Sequence, residues 1–259
     1  MASTNSIKQQ NTQKKRAALF NLRAFFLLVV SFLLALYAAW IISASFGYGY
    51  SFWYGFYDSK QHIERYAPEN RFRHGFEHTT VAEHKALFQK IVESVHNDGE
   101  GLSDIHYAYG TNTIPLLHDA EIIHLQDVAH LINHVHHLGI GLLLVFAALY
   151  LNHLMAMRRY GNLINSHSQL IIVAALACLI ALIFFIVGAK SIFYQMHILI
   201  FPADHQWFFY YQDSLMSTLM KAPDLFAGIA VQILFIAILL FALGLWAHHG
   251  LQRTVEAQD

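Results

Sequence analysis

AEIIHLQDVAHLINHVHHLGIGLLLVF, residues 120–146, decides how the rest of the chain is read. Its first two thirds carry His124, His130, His134, His136 and His137 together with Glu121 and Asp127. Its last third is apolar, and no Asp, Glu, Lys or Arg occurs from His137 to Met157. A bilayer core of about 30 Å needs roughly 20 apolar residues on a helix. The stretch therefore reads as a helix that brings titratable groups to the edge of a membrane and then enters it.

Three other stretches have the same length and character: Leu19–Phe46, Leu170–Gly188 and Leu225–Ala247. The chain is 56% hydrophobic and 13% charged, which leaves too little polar surface for a soluble domain of 259 residues. The expected fold is all-α: a polytopic membrane protein with a bundle of four transmembrane helices. A partly helical, extracytoplasmic loop domain is expected between the first and second helices.

Net charge is −1, but the signs are segregated. Lys8, Lys14, Lys15, Arg16 and Arg23 surround the start of the first span, Arg158 and Arg159 sit in the second connection, and Arg253 follows the fourth span. Fifteen of the 17 carboxylates fall in Asp58–Asp127 or Asp204–Asp224. Basic ends of short loops stay cytoplasmic, so both termini are expected inside, with 47–118 and 190–224 outside. The domain reading follows: residues 1–16 a cytoplasmic polar tail, 17–250 the membrane domain, 251–259 a second cytoplasmic tail. Residues 1–13 are polar enough to be expected as irregular chain. The first span is read as a retained helix, because its apolar core exceeds that of a cleaved signal.

A single cysteine, Cys178, excludes an internal disulfide and any multi-cysteine metal site. There is no glycine-rich nucleotide loop and no nucleic-acid signature, so no nucleic-acid partner is expected. FGYGYSFWYGFYD, residues 46–58, has the aromatic density of an interfacial belt. In residues 80–96, Val81, Leu87, Phe88, Ile91, Val92 and Val95 recur at helical spacing. Thr80 and Glu83 form a capping box, and Asn97-Asp98-Gly99 is a stop. His78 and His84, beside Glu77 and Glu83, are read as solvated groups on the polar face of that helix rather than as metal ligands.

On a helix at about 100° per residue, Glu121, His124 and Asp127 share one face. His130, His134 and His137 form an adjoining stripe, and His136 points elsewhere. A histidine held by a carboxylate can act as a general base near neutral pH. His130, His134 and His136 need no more than hydrogen bonding at the interface. The second polar cluster, SIFYQMHILIFPADHQWFFYYQDSLMSTLMKAPDLF, follows the third span at residues 191–226. His124 opens the second span and His197 closes the third. An antiparallel pair of spans would bring both to the outer rim.

Two motifs resemble those of the bacterial lipoprotein intramolecular transacylases (Lit) and their integral-membrane relatives. The first is E-x-x-H-x-x-D-V: Glu121, His124, Asp127 and Val128. The second is His197, followed by Phe201, Trp207, Asp213, Leu215, Pro223 and Phe226. Met196 stands where the family usually has Phe, and the outer loop is longer. The resemblance implies a multi-pass protein of the bacterial cytoplasmic (inner) membrane. It implies an acyltransferase that moves the sn-2 acyl chain of a diacylglyceryl cysteine to that cysteine's own α-amino group. It also puts the two catalytic histidines at His124 and His197, with a lipoprotein or phospholipid substrate among membrane lipids and no cofactor.

The chemistry asks for a base to deprotonate the amine and a donor for the developing oxyanion or the leaving oxygen. His124, oriented by Glu121 or Asp127, is read as the base and His197 as the donor; the roles are exchangeable. Phe201, Trp207 and Asp213 are the expected substrate contacts, and Trp207 with Phe208–Tyr211 would serve equally as an interfacial belt. Two other classes remain open on the sequence. One is a haem or transition-metal protein using His124, His130, His134, His137 and His197. The other is a non-catalytic membrane assembly partner. The oligomeric state is not legible in the sequence.

Overall fold

The computed structural model describes residues 2–160 and 186–256, with positions 171, 175, 179 and 182 between them. Most of the expected third span, Leu170–Gly188, lies outside the described residues, as does Cys178. The described chain is mainly helical. Its long helices are α1 (Ala2–Ser45), α5 (Asp119–Tyr160) and α8 (Asp224–Glu256). Within them Leu22–Ser45, Asp119–Ala156 and Asp224–Gly250 are long and apolar enough to cross a membrane. The polar residues expected as irregular chain instead continue α1 from Ala2. They contain no Gly or Pro, and their Lys and Gln residues are good helix formers. Asp119 and Glu121 in the first turn of α5, and Asp224 in that of α8, favour those starts by opposing the positive end of the helix dipole.

The chain divides into two compact units. The first comprises residues 1–39, 138–183 and 235–259. Its helices approach through small side chains: Ala24, Ala35 and Ala39 of α1, Ala156 of α5 and Ala237 of α8 are buried. Lipid tails give no hydrophobic drive between helices, so close contact at small residues is what holds such segments together. At Gly139 the Tyr37 ring comes so near that a Cβ would stand 2.3 Å from it. Phe32 meets Phe241 edge to face at 5.6 Å. Leu138, Leu144 and Trp246 are exposed, as apolar side chains facing hydrocarbon are.

The second unit comprises residues 40–137 and 184–234. It contains α2 (Tyr50–Phe56), α3 (Ser59–Tyr66), α4 (Val81–Val95), an antiparallel hairpin of β1 (His106–Tyr109) and β2 (Asn112–Pro115), α6 (Ala189–Ile200) and α7 (Leu215–Met220). The hairpin register pairs His106 with Pro115 and Tyr109 with Asn112. The capping box of α4 is present: Glu83 N donates to Thr80 Oγ1 at 3.2 Å and Thr80 N to Glu83 Oε2 at 2.9 Å. Its apolar face (Leu87, Phe88, Ile91, Val92, Val95) joins Ile63, Phe76, Leu102, Leu116, Leu215 and Leu219 in the core. Val81, read as part of that face, is exposed.

His84 corrects the expectation of a solvated ring. It is 2% exposed, between the Tyr54 hydroxyl at Nδ1 (2.8 Å) and the Thr79 hydroxyl at Nε2 (2.7 Å). It sits one position after Glu83, and the helix turn carries it inward. His78 remains at the surface beside Glu77.

Candidate functional site

α6 stops where the sequence makes it stop. Pro202 disfavours helical geometry in the residue before it, and Phe201 is extended (φ −94°, ψ 150°). The Phe201 ring then lies 4.9 Å from His124 and 5.2 Å from His197, centroid to centroid. The two imidazoles are themselves 6.2 Å apart and inclined by 33°. Each is 8% exposed. His197 also packs against Phe193 at 4.0 Å and Trp207 at 4.9 Å, and Phe209 lies 6.1 Å from His124. The result is a pair of imidazoles inside an aromatic shell.

The two rings are held differently. His197 Nδ1–H donates to the Phe193 carbonyl at 2.7 Å, one helical turn back. In the neutral ring this leaves the lone pair on Nε2. His124 Nδ1 is buried and has no hydrogen-bond partner among the described residues.

Neither carboxylate of the first motif orients His124 by a hydrogen bond. Glu121 is fully buried, and both of its oxygens are committed. Oε1 accepts from Ser214 Oγ at 2.5 Å and Met216 N at 3.3 Å; Oε2 accepts from His118 N at 2.7 Å and lies 3.7 Å from His118 Nε2. Glu121 thus ties the start of α5 to the start of α7. Asp127 Oδ2 is bonded to His205 Nδ1 at 2.7 Å, across 78 residues. That hydrogen bond raises the pKa of His205 above the ordinary imidazole range; desolvation opposes it, and the charges of Asp127 and Asp204 add to it.

Of the expected substrate contacts, Phe201 and Trp207 belong to the aromatic shell. Asp213 does not: it sits 3.1 Å from Arg71 Nη1, an ion pair without hydrogen-bond alignment. The remaining histidines of α5 serve their own helix or neighbouring rings. His134 Nδ1 donates to the His130 carbonyl and His137 Nδ1 to the Asn133 carbonyl, each at 2.7 Å. His136 packs 5.0 Å from Trp40. Among the described residues, no three His, Cys, Asp or Glu side chains gather closely enough to hold a metal ion.

Sequence reasoning passed over His205, His118 and Ser214. The only signal for His205 was its place two residues before Trp207. Ser214 caps the start of α7, its side chain accepting from Ser217 N.

Two imidazoles in an apolar shell, one with a fixed tautomer, make an arrangement suited to proton transfer near neutral pH. A family described as lipoprotein intramolecular transacylase Lit matches residues 74–222, which include every member of the histidine cluster. No curated protein matches the chain. Among solved structures, that of the membrane-integral lipoprotein intramolecular transacylase Lit from Bacillus cereus, bearing a histidine-to-arginine substitution, is similar over 97% of this chain and 99% of its own, with a TM-score of 0.59 and 15% identity. At that identity the likeness concerns the fold, which is that of a multi-pass membrane protein. The family match spans more than half of the chain, and the chain belongs to the lipoprotein intramolecular transacylase Lit family.

Proposed function

We propose that this chain is an integral-membrane acyltransferase acting on lipoproteins of the bacterial cytoplasmic membrane. In this reading the sn-2 acyl chain of a diacylglyceryl cysteine moves to the α-amino group of the same cysteine, with His124 and His197 as the proton-transfer pair. This reading keeps a bundle of four spans. Both termini are cytoplasmic, and residues 47–118 and the histidine pair face outward. The membrane domain is 17–250, flanked by tails at 1–16 and 251–259. The observation that carries the proposal is the 6.2 Å approach of two buried imidazoles from distant parts of the chain.

An α-amino group has a reference pKa of about 7.7–8.0, so much of it is protonated at neutral pH. The fixed tautomer favours His197 Nε2 as the base that takes a proton from the amine, exchanging the roles first expected from the sequence. The amine nitrogen then attacks the sn-2 carbonyl carbon. A C–N bond forms and the ester C–O bond breaks; His124 gives its N–H proton to the departing sn-2 oxygen, leaving a free hydroxyl, and regains one from the His197 imidazolium that took the amine's proton. No enzyme nucleophile is required, because amine and ester belong to one substrate, and holding them together supplies the effective-molarity advantage. Phe201 and Trp207 confine the acyl chain beside the rings.

Mass spectrometry of lipoprotein N-termini from cells with and without the protein is the test. The expected result is an N-acylated, sn-2-free cysteine only when the protein is present. Unchanged N-termini sink the proposal.

A further inference from the structure

The unit formed by residues 40–137 and 184–234 contains a cleft of about 560 Å³ that shares no lining residue with the histidine cluster. Its wall is charged in both signs: Arg65 and Lys221 are cationic, Asp58 and Glu64 anionic. Arg65 stands 5.2 Å over the Tyr66 ring and has no carboxylate at ion-pair distance among the described residues. Lys221 Nζ donates to the Tyr57 carbonyl at 2.6 Å, which fixes the ammonium and leaves further N–H donors. Glu64 is shared with Lys60 at 3.4 Å in an exposed pair of the kind that water screens.

Three other observations mark the cleft as built. His62, 9% exposed, lines it between Tyr66 (4.7 Å) and Tyr211 (4.5 Å), and its Nε2 is buried without a partner among the described residues. Asp58 and Lys221 are both held in the left-handed region (φ 50° and 45°), a conformation that non-glycine residues keep only where their surroundings impose it. Finally, α2 ends two residues before Asp58 and exposes Phe52 and Phe56, whose rings stack at 5.9 Å. Exposed aromatics of this kind seat at the lipid headgroup level. Asp58, in the cleft wall, follows Phe56 by two residues along the chain.

We propose that this cleft binds the headgroup of a zwitterionic glycerophospholipid of the phosphoethanolamine type. Arg65 and Lys221 take the phosphate, Asp58 and Glu64 the ammonium, and the acyl chains lie along Phe52 and Phe56. Charge-assisted hydrogen bonds to phosphate and ammonium supply the selectivity. A purely anionic headgroup leaves Asp58 unanswered, and a free solute forgoes the aromatic contact. The proposal is independent of the reaction assigned to His124 and His197.

The test is native mass spectrometry of the full chain with phosphatidylethanolamine, phosphatidylglycerol, diacylglycerol and soluble glycerophosphoethanolamine. Phosphatidylethanolamine should be retained about tenfold better than diacylglycerol or the soluble headgroup, and better than phosphatidylglycerol. Arg65→Gln, at an exposed position, should remove most of that advantage. Asp58→Asn should erase the preference over phosphatidylglycerol while leaving the fold intact, because Asn tolerates positive φ. Equal retention of all three lipids, or variants that behave as the parent, overturns the proposal. Retention of the soluble headgroup equal to that of the lipid overturns the lipid source.

Discussion

The Glu121 carboxylate accepts the Ser214 hydroxyl at 2.5 Å across 93 residues, and so ties two distant parts of the chain together beside the histidine pair. Glu121→Gln should therefore lower thermal stability in detergent, by about 1–3 kcal/mol for a buried, charge-assisted set of bonds. Ser214→Ala should act in the same direction, and the double variant should cost less than the sum. A Glu121→Gln protein that melts like the parent but has lost activity would return this carboxylate to a direct catalytic role.

His124→Gln and His197→Gln are each expected to cut acyl migration by about 10²–10⁴-fold, the usual contribution of general acid–base help. Both proteins should accumulate in the membrane as the parent does. In the proposed mechanism the rings act as a unit, so the double variant should be little worse than either single one. Lipoprotein N-terminal mass spectra provide the measurement, and full activity in either variant would remove that ring from the mechanism.

The Asp127–His205 bond should give the 201–213 segment a pH dependence. The folded-state pKa of His205 is raised, so the stabilisation from its protonated form is complete below the ordinary imidazole value of 6.5 and fades as pH rises through the raised value. Amide exchange in this segment, corrected for intrinsic rate, should quicken between mildly acid and mildly alkaline pH. Asp127→Asn should abolish the difference. An unchanged pH response in that variant assigns the effect to another group.

His84 works in the opposite sense. Burial, the leading cause, pushes its pKa down to about 4, with the charges of Glu83 and Glu64 opposing. The unfolded chain then binds more protons than the folded one between pH 6.5 and about 4. Stability is full above 6.5 and drains as pH falls through that window. Melting temperatures taken from pH 7 to pH 4 should show the decline, and His84→Asn should flatten it while lowering the starting value. A parent protein whose melting point holds steady down to pH 4 contradicts the assignment.

Much of this was legible in the sequence because it depends on periodicity and local chemistry. Uninterrupted apolar length marks Leu22–Ser45 and Asp224–Gly250, and Thr80 with Glu83 marks the start of α4. That His124 and His197 approach follows from where each lies relative to its apolar segment. The helical wheel gave Glu121 the right angle beside His124 but not its partner, because Ser214 and Met216 arrive from a distant, irregular part of the chain. His205 was missed for the same reason: residues 201–214 have no period to read. His84 was misplaced because a polar residue next to a capping Glu looks solvated until Tyr54 and Thr79 are seen to close over it.

The β1–β2 turn has a practical use. At Gly110 nothing lies within 4 Å of the position a Cβ would occupy, and Thr111 beside it is exposed. A short epitope inserted there should leave the hairpin register intact and remain open to antibody. Staining of intact spheroplasts, compared with permeabilised ones, would then report the sidedness of this unit in living cells without reference to catalysis.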